Sequence, residues 1–503
     1  MTILERCGAK VTAQPGRAWP RAEVEADGWR FAASRLTDGL WELVALWAEA
    51  DIVHCSVRDT LSGEVAILSL PCSHGGFTSL AQWHPPAMRL ERTIRDLFGL
   101  EPIGLPDNRN WLDHGRWGVK QPLAGGENTR TDLPAYRFLP ADGEGLHQIG
   151  VGPVHAGIIE PGFFLFAANG ETVVRLEERL GYVHKGIESL MSGSDLERGI
   201  SLAGRVSGDS TVAYAYAFAS AAEAALEIEV PQRAIWLRAL MAELERIANH
   251  LGDFGAICND ASFAVMNAQC GILRERLLRA ANVCFDHRLM RDRIVVGGVT
   301  ADLLPDGHLA LRHLLDEITR RLPRLAELYD KTASLQDRTV GAGVLKHELA
   351  RQYACGGYIG RASGRDFDAR KVVRYPPYDQ LVFDVPVMAQ GDVNARVWIR
   401  IREIEQSVAI IRQILGRLPG SELSVPVPRR DRLREGASLI EGFRGDIFVW
   451  LRITQHCAIE RCHLRDPSWF QWPLLEAAIE GNIVADFPLC NKSFNCSYSG
   501  HDL

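Results

Sequence analysis

Residues 231 to 251 read PQRAIWLRALMAELERIANHL, and the apolar positions Ile235, Leu237, Leu240, Leu244, Ile247 and Leu251 recur at the spacing of one helix face. Pro231 stands where a first-turn proline is tolerated. The charged residues among them, Glu243, Glu245 and Arg246, read as an ordinary solvated face. Similar spacing marks Glu171 to Met191, Val212 to Leu226, Gly271 to Leu289, Leu309 to Leu335 and Arg396 to Leu415. A region built this way is mainly helical, with a minor strand-like insertion at Gln380 to Val387.

Upstream, the pattern from Trp29 to about Leu105 is that of a small α+β domain. A mixed helical stretch (Leu40 to Ala50) precedes two strand-like runs, Asp51 to Val57 and Glu64 to Leu70, and a helix from Leu90 to Phe98 that Gly99 stops. Between Pro122 and Gln148 the chain turns to Gly, Asn, Thr, Asp and Pro without periodicity, as linkers do. The expected organisation is therefore a first domain over 1–125, a linker over 126–148 and a large helical domain over 149–503.

With 503 residues, 47% of them apolar, the chain can bury more than one core. Its net charge of -7 gives no basic surface for a phosphate backbone, so nucleic acid is not an expected partner. The uncharged run Ser210 to Ala222 is too short to span a bilayer, and the N-terminus has no secretion pattern. A cytosolic location follows as the default. The eleven cysteines include no Cys-x-x-Cys pair, which argues against disulfides and against a zinc or iron–sulfur site within this chain. Reduced, buried thiols are expected.

Several ordered motifs carry a family resemblance. Leu90-Glu-Arg-Thr-Ile-Arg-Asp-Leu-Phe-Gly-Leu100 with Gly104-Leu-Pro-Asp107 resembles the small hydrophilic subunit of complex I. Gly152-Pro-Val-His-Ala-Gly-Ile-Ile-Glu-Pro-Gly162, Leu180-Gly-Tyr-Val-His-Lys-Gly-Ile-Glu188, Gly391-Asp-Val-Asn-Ala-Arg396 with Arg400 and Glu403, and Gly442-Phe-Arg-Gly-Asp446 are similar to the large subunit of membrane-bound (group 4) [NiFe]-hydrogenases and to the quinone-cavity subunit of complex I. The chain thus looks like a fusion of the two subunit types. The resemblance implies the hydrogenase/complex I large-subunit fold for the second domain.

Residue by residue, that resemblance points to a cavity without its metal. A nickel–iron centre needs four soft thiolates in two Cys-x-x-Cys pairs. Here Ser207 and Ser210 stand at the first pair, in Arg205-Val-Ser-Gly-Asp-Ser210, and Ser497 and Gly500 at the second, with Asn495 and Cys496 at the Asp-Pro before it. A displaced pair of Cys490 and Cys496 is too widely spaced to replace them. At the quinone-binding histidine and tyrosine of complex I stand Ile159 and Gly208. Glu160 matches a proton-carrying glutamate and could keep that task if burial makes it hold protons; Arg444 matches an arginine poised over the metal. Asp209 and Tyr214 complete the candidate catalytic set, and Arg205, His155, His184, Tyr498 and His501 are further cavity candidates.

The resemblance implies a subunit of an ion-translocating oxidoreductase complex, with NAD- or quinone-linked electron transport and proton translocation in the assembly. No cofactor is expected on this chain, nickel least of all; quinone is admitted as an acceptor, and an iron–sulfur cluster belongs in a partner small subunit. The other implied partners are membrane-embedded subunits of the antiporter type, with this chain peripheral on the cytoplasmic side of the inner membrane. The competing reading is a non-catalytic coupling subunit of the same kind of assembly.

Overall fold

The computed structural model describes residues 1–9, 19–125, 135–155, 159–430 and 432–503. The first domain holds β1 (Arg21–Glu23), α1 (Ala26–Thr37), β2 (Trp41–Ala48), β3 (Ile52–Asp59), β4 (Val65–Pro71) and α2 (Met88–Phe98). Its sheet has the order β1-β4-β3-β2, parallel only between β1 and β4. Gly99 ends α2 in the left-handed region at φ 74°, which glycine adopts without a Cβ penalty. The stretch Leu40 to Ala50, expected to be helical, is strand β2. Both faces of β2 are covered, and a strand buried on two sides loses the alternation that would mark it.

Three further strands, β5 (Leu146–Val151), β6 (Phe163–Asn169) and β7 (Thr172–Arg179), form an antiparallel meander. Strand β5 takes the last residues of the expected linker; of that linker, 126–134 lies outside the described residues, as does 156–158 of the motif that follows. The expected helix from Glu171 to Met191 opens with strand β7, and only Ile187–Met191 is helical. Val173, Leu176 and Leu180 imitate helical spacing because a register shift at Ala167/Ala168 interrupts strict alternation.

The long helices run as α3 (Thr211–Leu226), α4 (Gln232–Asp260), α5 (Ala264–Phe285), α6 (Pro305–Lys331) and α7 (Val393–Arg417), with shorter ones between them. Asp392 caps α7 by accepting from the Ala395 N–H at 2.7 Å. No strand forms at Gln380 to Val387: the Val382 and Asp384 N–H groups donate to the Gln413 and Gln406 side chains of α7 instead of to a sheet. A last antiparallel sheet, β8 (Arg434–Glu441), β9 (Asp446–Ile453) and β10 (Ile459–Arg465), packs on α3 and is followed by α8 (Ser468–Ala478), α9 (Phe487–Phe494) and α10 (Tyr498–Asp502).

Helix α4 has no solvated charged face. Glu243, Glu245 and Arg246 are all buried: β8, α7 and the segment around Arg370 cover Glu243 and Arg246, and the start of α3 covers Glu245, which accepts the Val212 and Ala213 N–H groups. One apolar cluster also joins the two domains, with Ile94, Leu97 and Trp111 packed alongside Leu180, Trp469 and Trp472. Trp47 of β2 stacks on His463 and lies against Phe448 and Trp450 of the last sheet. All eleven cysteines are free, and all but the half-buried Cys457 are buried. Among the described residues no helix is long and apolar enough to cross a membrane.

Candidate active site

Three chain segments meet where the resemblance places the metal. The turn before α3 brings Ser207, Asp209 and Ser210; the segment between α9 and α10 brings Asn495 and Ser497; the β8–β9 turn, closed by Gly442 and Gly445, brings Arg444. Ser207 Oγ and Ser497 Oγ are in direct hydrogen-bond contact at 2.9 Å. Ser207 Oγ also donates to Asp209 at 2.8 Å, and Ser210 Oγ to the same oxygen at 3.3 Å. Arg444 closes a two-pronged pair on Asp209 at 2.7 and 2.5 Å, and its Nε donates to the Asn495 carbonyl. The four expected positions therefore converge, with the serines touching one another.

A residue that motif spacing passed over completes the cluster. Asp466, at the end of β10, accepts the Tyr214 phenol on Oδ2 at 2.5 Å and the Ser468 N–H on Oδ1 at 2.8 Å. A Cβ built on Gly500 would lie 2.4 Å from Asp466 Oδ2 and 2.8 Å from Ser497 Oγ. The carboxylate thus fills the room that a fourth ligand side chain needs. Only the glycine at 500 hinted at it, since a missing side chain invites another to move in. Hydroxyls, a carboxylate and a guanidinium form a hard, hydrogen-bonded set in mutual contact, and this set does not fit a nickel–iron centre that requires thiolates.

Electrostatics fix the protonation of the cluster. Burial works to raise the Asp209 carboxyl, but Arg444 beside it and the serine hydrogen bonds outweigh that and hold it below its ordinary value. Arg444 is correspondingly kept charged, burial being overcome by the same pair. Burial and the adjacent Asp466 anion push the Tyr214 phenol well up, so it stays protonated and donates. Lys185, whose Nζ donates to the Val206 carbonyl at 2.7 Å, is lowered by burial. It borders the site from the motif before Ile187–Met191 and was also missed.

The other expected residues serve different ends. Arg205 bonds Asp292 and the Ser201 carbonyl at the exposed surface, while Val206, between it and Ser207, is buried in the core. Glu160 is exposed, and its Oε2 accepts the Ser499 N–H at 3.0 Å at the start of α10. His155 bonds the Gly162 carbonyl of its own loop at 2.8 Å. His184 stacks on Trp117 and bonds the Asp502 carbonyl, and His501 lies between Trp469 and Trp111 with Asp502 on its Nδ1, so both histidines belong to the contact between the domains. Tyr498 is buried against Trp472, its hydroxyl near Asn491. A Cβ at Gly208 meets nothing within 4 Å, which leaves open space beside Ser207.

Residues 263–435 match the family described as respiratory-chain NADH dehydrogenase, 49 Kd subunit. Formate hydrogenlyase subunit 5 of Escherichia coli is 31% identical over 435 residues, covering 83% of this chain and 75% of that one. A D-type subunit of NADH-quinone oxidoreductase from Dehalococcoides mccartyi is 32% identical over 342 residues, covering 67% of this chain and 93% of that one. A chain in the structure of the membrane-bound sulfane sulfur reductase, an archaeal respiratory membrane complex, is similar in fold with a TM-score of 0.67 at 24% identity, over 73% of this chain and 100% of its own.

Proposed function

This chain belongs to the family that unites the 49 kDa (D-type) subunit of respiratory NADH dehydrogenase with the large subunits of formate hydrogenlyase-type hydrogenases, and from that membership we propose that it is the acceptor-site subunit of an ion-translocating oxidoreductase complex working without nickel. Electrons arrive from an iron–sulfur cluster held by a partner small subunit, and the acceptor, a quinone or another small oxidant, is reduced beside Ser207 and Arg444. The complex sits against membrane-embedded antiporter-like subunits, with this chain peripheral on the cytoplasmic side.

The observation that carries this reading is the Ser207–Ser497 contact with Arg444 and Asp466 packed around it, which keeps the cage while exchanging its sulfur for proton donors and acceptors. In such a cage Tyr214 and the serine hydroxyls can hydrogen-bond a reduced oxygen or sulfur atom, and Arg444 can balance the charge that develops there. The test is metal analysis of the purified complex together with turnover using quinones, ferredoxin and NADH. Absence of stoichiometric nickel with measurable turnover supports the proposal, and either bound nickel or inertness toward every redox pair refutes it.

A second reading, a non-catalytic coupling subunit, is favoured by the direct pairing of Arg444 with Asp209, which occupies both groups with each other. Rescue of a deletion strain by the Arg444→Ala, Asp466→Asn double variant as well as by wild type would select it.

A further inference from the structure

Two of the buried charges of α4, Glu243 and Arg246, belong to an enclosed network that the active-site cluster does not use. Glu243, Asp368, Glu403 and Glu441 supply four carboxylates; Arg246, Arg361 and Arg370 supply three guanidiniums, and each of the seven is at most 2% exposed. Arg361 bridges Glu403 at 2.8 Å and Glu441 at 2.9 Å, and Arg370 bridges Asp368 at 2.6 Å and Glu243 at 2.9 Å. The neighbouring Arg400–Asp253 and Arg465–Asp446 pairs are each neutral and add nothing to the count. A set so enclosed carries one uncompensated negative charge, which is costly without water.

The proton that would cancel this charge has few places to go. His250 donates to or accepts from Glu403 through Nε2 at 2.7 Å, but its Nδ1 has no partner among the described residues. An imidazolium there would leave an N–H unsatisfied in a fully buried pocket. Glu441 and Asp368, by contrast, both aim at the same Arg361 Nη1, at 2.9 and 3.6 Å, so two like charges share one cation. Around Glu441 stand also the Ala369 N–H, Arg246 across its backbone carbonyl, the Tyr375 hydroxyl at its N–H, and Asp446 opposite it in the sheet.

We infer that Glu441 holds one proton at neutral pH beside an Asp368 kept ionised by its fork on Arg370, and that the two form a proton-holding pair immediately behind the active-site arginine. Glu441 closes β8, and Arg444 follows three residues later on the same turn, which Arg246 fixes by donating to the Glu441 and Gly442 carbonyls. The pair is therefore joined to Arg444 by a short connection of three residues. Burial, then the Asp368 charge, places the Glu441 carboxyl up at about 7, where it can exchange its proton under working conditions.

Infrared titration of the full chain in its purified complex tests the assignment. Wild type at positions 441 and 368, with Glu91 and Glu245 replaced by Gln because their carboxyls too are pushed up, to about 7 and about 8, is expected to carry a protonated-carboxyl band lost with a midpoint near pH 7. Glu441→Gln removes that band, and Asp368→Asn, by deleting the like charge, moves its midpoint down by about one pH unit or more. A wild type without such a band, or a band unmoved by Asp368→Asn, overturns the inference even where Glu441→Gln does not fold. Because the readout is proton occupancy and not turnover, failure here leaves the proposed redox role standing, and failure of turnover leaves this pair standing.

Discussion

Gly500 and Asp466 should be coupled energetically. In Gly500→Ala the new Cβ falls 2.4 Å from Asp466 Oδ2 and 2.7 Å from Cγ. The carboxylate cannot retreat cheaply, because Tyr214 and the Ser468 N–H hold its two oxygens. Overpacking of this kind costs about 1–3 kcal/mol. Asp466→Ala alone leaves the buried Tyr214 hydroxyl without its acceptor, at a cost of about 1–3 kcal/mol. In the double variant the clash with the carboxylate disappears and only the 2.8 Å approach to Ser497 Oγ remains, so its destabilisation should fall short of the sum of the single ones by about 1–2 kcal/mol, within the range known for residues in contact. Urea unfolding of the three variants and wild type measures this, provided the slopes agree. Additive effects within about 0.5 kcal/mol would refute the claim that the carboxylate occupies the space above Gly500.

Two further outcomes follow from the charges. Glu91 in α2 is fully buried, accepting from Ser79 and the Leu80 N–H, and burial pushes its carboxyl up to about 7. A raised acid favours the folded state below its unfolded value of 4.5 and loses that contribution as pH climbs through 7; Glu91→Gln should therefore flatten the decline in melting temperature over this window. Arg205→Ala removes only an exposed pair with Asp292, so stability should change by about 0–1 kcal/mol and turnover should match wild type; a large loss of turnover would return Arg205 to the active site.

Some misreadings share a cause. The strand β2, the buried face of α4 and the extended chain after Gln380 all depend on what covers them. Trp41 to Ala48 is apolar but for Glu42 because a second sheet lies on its outer side, and nothing local in those residues announces that sheet. Glu243 and Arg246 look solvated at helical spacing, since a 3.6-residue period tells which residues share a face but not whether another helix brings opposite charges to it. The Ser207, Ser210 and Ser497 positions were legible because they are fixed by motif spacing, whereas Asp466 was not, because it reaches the site by tertiary approach from the far end of a strand.

The amino-acid sequence alone determined the long helices α3 to α7, the family resemblance and the missing Cys-x-x-Cys pairs, since each rests on periodicity or on residue type at a given position. Only the tertiary structure decided what fills the vacated cage, that Arg205 and Glu160 lie at the surface, and that a charge-imbalanced network is sealed behind Arg444. Those outcomes turn on distances between residues remote in the chain, where burial and like-charge repulsion act, and no local pattern encodes them.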